Sequence, residues 1–169
     1  MITNFKNRNK GFTIIEVMIV LAIAGLILLI VFLAIPALQR SQANTGRKED
    51  AGRLVTAFGN YISDANGQLP TPGNVSECNQ IKTDAGTLNQ YNSLTCTSTP
   101  GTNDLTIISS PIGLYTEPAV NNNSVIFVEG ATCSGTTATS SSTENQTVIL
   151  YTMAPGGSGS WNWACTNAQ

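Results

Sequence analysis

The chain has 169 residues, 41% of them apolar, a formal net charge of −2 and no histidine. This length allows one modest domain plus one membrane segment and excludes a multidomain enzyme. The lack of histidine removes His-based triads, His metal ligands and His pH switching.

Both apolarity and charge are segregated. Within 12–38 only Thr13, Glu16, Gly25 and Pro36 are not apolar, and the rest of the chain is lean for a globular domain. Lys6, Arg8, Lys10, Arg40, Arg47, Lys48 and Arg53 lie in the first third, and Lys82 alone follows them. Against it stand Asp64, Glu77, Asp84, Asp104, Glu117, Glu129 and Glu144. A head with this balance does not recruit nucleic acid by phosphate neutralisation. Its surface is expected to be built from Ser, Thr, Asn and Gln.

The first predicted element follows a basic leader, Lys6-Asn7-Arg8-Asn9-Lys10. Residues 17–38 carry no charge and, as a helix, span about 33 Å, enough to cross a bilayer. The basic leader favours a cytoplasmic N-terminus, although basic residues flank the other end as well. The apolar run is too long for the core of a signal peptide, and Ala34-Ile35-Pro36 offers no clean small-x-small cleavage site. A plain signal anchor leaves Glu16 unexplained. A carboxylate at mid-bilayer costs about 2.5–3.5 kcal/mol and calls for a partner. Near the membrane surface it gains instead from the start of a helix. Composition and spacing leave both readings open.

The run Lys10-Gly11-Phe12-Thr13-Ile14-Ile15-Glu16-Val17-Met18-Ile19-Val20-Leu21-Ala22 resembles the leader and stem of type IV pilin precursors. The resemblance implies cleavage after Gly11 by a prepilin peptidase and an N-methylated Phe12 as the mature N-terminus. It also makes Glu16 the stem glutamate of that family, pairing with the Phe12 amine of a neighbouring subunit. Breaking such a pair inside an apolar bundle typically costs about 3–5 kcal/mol, which makes Glu16 a register device. Many pilins carry a helix-weakening proline about one turn before the position of Pro36. Pro36 lacks an N–H and crowds the carbonyl of Phe32, and Gly25 is a second weak point. A stretch between the two that melts on extraction from lipid is an expectation.

Ala51, Leu54, Val55, Phe58, Tyr61, Ile62 and Ala65 recur every three or four residues, which predicts an amphipathic continuation of the helix over 39–66. Glu49 precedes Arg53 by four, the favourable order for a helical ion pair. Asn66-Gly67 supplies the stop, with Pro70 and Pro72 beyond it. Gly46, Gly52 and Gly59 mean either close approach by a neighbour or a loosened helix. Residues 67–103 read as a turn-rich connection with at most one short helix. Strands are predicted over 105–109, 124–129, 147–153 and 161–165, separated by turn clusters at 121–123 and 155–157. Residues 134–143, nearly all Ser, Thr, Gly and Ala, read as a flexible surface loop.

The expected fold class is α+β: a long N-terminal helix, transmembrane and then amphipathic, packed on a small antiparallel meander in a pilin-like head. The expected segments are a cleaved leader 1–11, a membrane and filament-core helix 12–38, its continuation 39–66, and a head 67–169 stapled by disulfides.

Cys78, Cys96, Cys133 and Cys165 allow three connectivities, and their spacing is unlike a zinc site. The preferred pairing is Cys78–Cys96 with Cys133–Cys165, the second closing the C-terminal region as the disulfide of many pilins does. Reduced, buried cysteines are the weaker reading for an exported chain. Phosphate loops, zinc motifs and nucleophile elbows are missing, so no catalytic residue, cofactor or metal is assigned. Asp104 and Glu129 coming together on the sheet, or calcium in Asn/Asp loops, finds little support. Trp161 and Trp163 share one face of a period-two strand, as packing or as an adhesive patch.

The function implied is that of a structural pilus subunit, first a single-pass protein of the cytoplasmic membrane and then part of an extracellular filament. Its implied partners are other copies of itself, the membrane, a prepilin peptidase, a platform protein and an assembly ATPase. A minor pilin and a type II secretion pseudopilin are close alternatives. A signal-anchored extracytoplasmic binding protein that never polymerises is the alternative from another class, and an anchored enzyme the weakest.

Overall fold

The computed structural model describes residues 11–101, 103–109, 123–141, 146–154 and 161–168. The basic leader 1–10 and the turn clusters at 121–122 and 155–157 lie outside the described residues. The described residues fall into two compact units that divide between Gln39 and Arg40. Helix α1 (Ile14–Asp64) contributes to both and contains Pro36.

In the first unit, α1 presents apolar side chains on every side, and no residue from 11 to 40 is buried. This stretch is long and apolar enough to cross a membrane.

In the second unit, α1 buries Ala51, Leu54, Ala57, Phe58 and Ile62, close to the stripe read from its spacing. It also buries Arg47 and Asp50, which the apolar pattern alone did not place inside. The helix stops where expected: Asn66 and Gly67 both take positive φ, and the Gly67 amide donates to the Ile62 carbonyl at 2.8 Å. Helix α2 (Val75–Asp84) follows, capped by the Asn74 side chain, which accepts from the Ser76 and Glu77 amides.

Among the described residues the strands are β1 (Thr95–Cys96), β2 (Asp104–Ser109), β3 (Val125–Glu129), β4 (Ala131–Ser134), β5 (Thr137–Ser140), β6 (Thr147–Met153) and β7 (Asn162–Asn167). Five form one sheet in the order β1-β2-β3-β6-β7. The α+β class holds, and β3, β6 and β7 pair antiparallel. The sheet departs from a pure meander, because β1, β2 and β3 pair in parallel. Parallel neighbours require a long connection, and the segment between β2 and β3 is long enough to bring the chain back to the same end.

The sheet is covered on both faces. Leu105, Ile107, Val125, Phe127, Ile149 and Tyr151 share a core with α1 and α2, and Phe58 stacks on Phe127 with ring centroids 4.5 Å apart. Ile126, Val128, Val148, Leu150 and Trp163 form a second core with Ala131 and Ala138 of the β4–β5 hairpin. That hairpin corrects the expectation of a loop over 134–143, of which residues 142–143 lie outside the described set. Gly135 supplies the positive φ that a two-residue turn requires, and the threonines suit a pleated strand.

Candidate functional site

The candidate site is the N-terminal end of α1. Gly11, Phe12 and Thr13 precede the first helical turn, and the Phe12 side chain is 86% exposed. Thr13 Oγ1 accepts from the Glu16 amide at 3.3 Å. Glu16 Oε2 accepts in return from the Thr13 amide at 3.3 Å and the Thr13 hydroxyl at 3.1 Å. This is a reciprocal capping box, which satisfies two of the backbone donors a helix start leaves open. The Thr-x-x-Glu spacing of Thr13 and Glu16 is its sequence signal. Glu16 therefore caps its own helix through Oε2, favoured there by the helix dipole. Gly25 and Pro36 both lie inside α1, and a Cβ built on Gly25 meets nothing within 4 Å.

The second unit is held by covalent and polar fixtures. Cys78–Cys96 joins α2 to β1, and Cys133–Cys165 joins β4 to β7. Asp50, fully buried, accepts from the amides of Asn89, Gln90 and Tyr91 at 3.1, 2.6 and 3.2 Å. Arg47 lies between two rings, its guanidinium 5.2 Å from the Tyr91 centroid and 4.6 Å from that of Trp161. It donates to the Thr152 carbonyl at 3.1 Å. Burial pushes the Tyr91 hydroxyl, which donates to the Thr152 carbonyl, up to about 12, against the opposing effect of the Arg47 charge and of the Thr152 side chain.

The helical ion pair expected of Glu49 and Arg53 does not form, and the acidic and tryptophan groupings weighed from the sequence are not brought together among the described residues. Arg53 donates to the Thr87 carbonyl at 2.6 Å and makes no ion pair with Glu49. Asp104 opens β2, whereas Glu129 closes β3 beside Ser109, so the two lie at opposite ends of paired strands. The tryptophans part company: Trp163 enters the second core, and Trp161, just before β7, covers Arg47. No group of three or more Cys, Asp or Glu arranged to hold a metal occurs among the described residues.

Residues 6–32 match the family model of the prokaryotic N-terminal methylation motif. No curated protein and no solved structure matches the chain significantly. The matched segment contains Gly11, Phe12, Thr13 and Glu16, and runs into the exposed apolar stretch of α1. The chain therefore carries at its N-terminus the methylation motif of type IV pilin-like and pseudopilin-type precursors. Its N-terminal helix fits a membrane-anchored precursor, and the motif implies processing by a prepilin peptidase.

Proposed function

We propose that the chain is a non-enzymatic structural subunit of a type IV pilus. In this reading the leader 1–11 is removed after Gly11 and Phe12 becomes the methylated N-terminus. Residues 12–38 then pass from the membrane into the filament core, while 39–66 continue the helix and 67–169 form the outward domain. The observation that carries it is an apolar helix with no buried residue from 11 to 40, headed by the matched methylation motif. Among the described residues nothing covers this surface, so lipid would cover it before assembly and other copies after it.

Glu16 supports the same reading. Its carboxylate is satisfied on one oxygen by Thr13, which lets the side chain reside at a membrane surface. The other oxygen is suited to the cationic amine that cleavage would create on a neighbour's Phe12. Gly25 and Pro36 provide weak points between which the helix can stretch on extraction.

The test compares wild type with Glu16→Ala. Both proteins are expected to insert and be processed, and only wild type should accumulate in sheared surface fibres. Equal recovery of both in fibres would contradict the register role. A processed protein confined to membranes would favour a pseudopilin or minor subunit over a major pilin.

A further inference from the structure

One end of the five-stranded sheet holds a carboxyl group without a donor. Glu129, the last residue of β3, is 8% exposed, and its Oε1 has no hydrogen-bond partner. Strand alternation puts it on the face of Val125 and Phe127, which points toward the helices. Directly opposite on β6 stands Thr147, fully buried, with its own Oγ1 unpartnered. On the other side the paired residue is Ser109 of β2, which does not titrate.

The charged neighbour is of the wrong sign. Glu77, in the first turn of α2, bears on Glu129 as a like charge. Glu77 has a donor of its own in the Thr71 amide at 2.5 Å, while burial first, and the Glu77 charge second, hold the Tyr61 hydroxyl of α1 above the ordinary tyrosine range. No Lys or Arg among the described residues pairs with Glu129. A buried carboxylate lacking both donor and cation is costly, and such a group keeps its proton instead. Burial first, and the Glu77 charge second, push Glu129 up to about 7.

We propose that Glu129 is a proton-operated latch at the end of the sheet where β3 meets β6. Protonated, it stays seated in the helix-facing layer beside Thr147. Ionised, it gives its proton to solvent, leaves that layer, and loosens the pairing of residues 129–131 with 146–147. The linkage sign follows from a carboxyl raised in the folded state. Stability is greatest below the unfolded value near 4.5, falls as pH rises toward 7, and is level above it. This latch does not depend on filament assembly.

The experiment uses the full chain in detergent micelles, with 13C-labelled glutamate and hydrogen exchange from pH 5.5 to 8.5. One carboxyl resonance, missing in Glu129→Gln, is expected to titrate near 7. Wild-type protection over 129–131, corrected for intrinsic exchange, is expected to drop at least roughly tenfold across that range, since one unit of pKa displacement is tenfold in the opening equilibrium. Glu129→Gln should keep its protection at pH 8.5, and Glu77→Gln should lower the titration midpoint. Titration of every glutamate near its ordinary value would overturn the proposal. So would protection that does not change while Glu129 ionises. Should Glu129→Gln fail to fold, wild type and Glu77→Gln still decide the matter.

Discussion

Glu16 and Asp50 are carboxylates on the same helix, but they belong to different units and meet different physics. Glu16 is exposed, bonded to Thr13 three residues away, and surrounded along the helix by exposed apolar side chains. Asp50 is buried and gathers three amides from a loop some forty residues on. The head resolves most of its buried polar groups within the chain, through backbone amides and ring contacts, with Glu129 and Thr147 as exceptions. The stem resolves only its own helix start and leaves its apolar surface open. A chain that completes one unit and not the other is built to be completed by lipid or by neighbours.

Substitutions that strike one unit alone sharpen this contrast. The largest effect is expected from Asp50→Ala, which strands the three amides of residues 89–91. A loss of about 3–5 kcal/mol is expected, because each buried, unpaired donor carries its own desolvation cost. Denaturant unfolding of the full chain in detergent, read by tryptophan fluorescence, measures it. Membrane insertion should be unchanged, since the stem makes no use of Asp50.

Next comes removal of the bridge between β4 and β7. Replacing Cys133 and Cys165 together by serine should cost about 2–4 kcal/mol in the same assay. The second core should lose protection first, because the hairpin that covers it is no longer tied to β7. Equal loss over both faces of the sheet would mean that the two cores unfold together.

Trp161→Ala removes one of the rings that sandwich Arg47 and should cost about 0.5–2 kcal/mol. The smallest effect is expected for Thr13→Val, which deletes the capping hydroxyl at a cost of about 1 kcal/mol of helix stability. Its readout is fraying of residues 14–17 by NMR in micelles, with the unfolding midpoint of the head unchanged. A shifted head midpoint would blur the division between the units.

These residues also show what was legible in the sequence. The β6 strand was read to the residue because an apolar run bounded by turns has few alternatives at that length. Likewise the end of α1 was read closely, since Asn66-Gly67 suits the left-handed backbone found there. Charge on a helix misled the reading: Arg47 and Asp50 fall beside the apolar stripe, and only their distant partners in residues 89–91, 152 and 161 explain their burial. The hairpin 131–140 was hidden by composition, because small Ser, Thr and Ala residues can line a sheet surface as readily as a loop. The capping box was missed for a different reason: Glu16 was weighed against distant partners before its nearest one, Thr13. Parallel pairing of β1, β2 and β3 is made across connections of quite different length, 97–103 and 110–124, which carry no register signal.

The central claim is that the open stem is completed by other copies after the leader is removed. Mass spectrometry of the N-terminal peptide in sheared surface fibres tests it most directly. The account predicts a peptide that begins at a methylated Phe12 and is abundant in the fibres. An intact Met1 peptide found only in membranes would contradict it and make the stem a simple anchor.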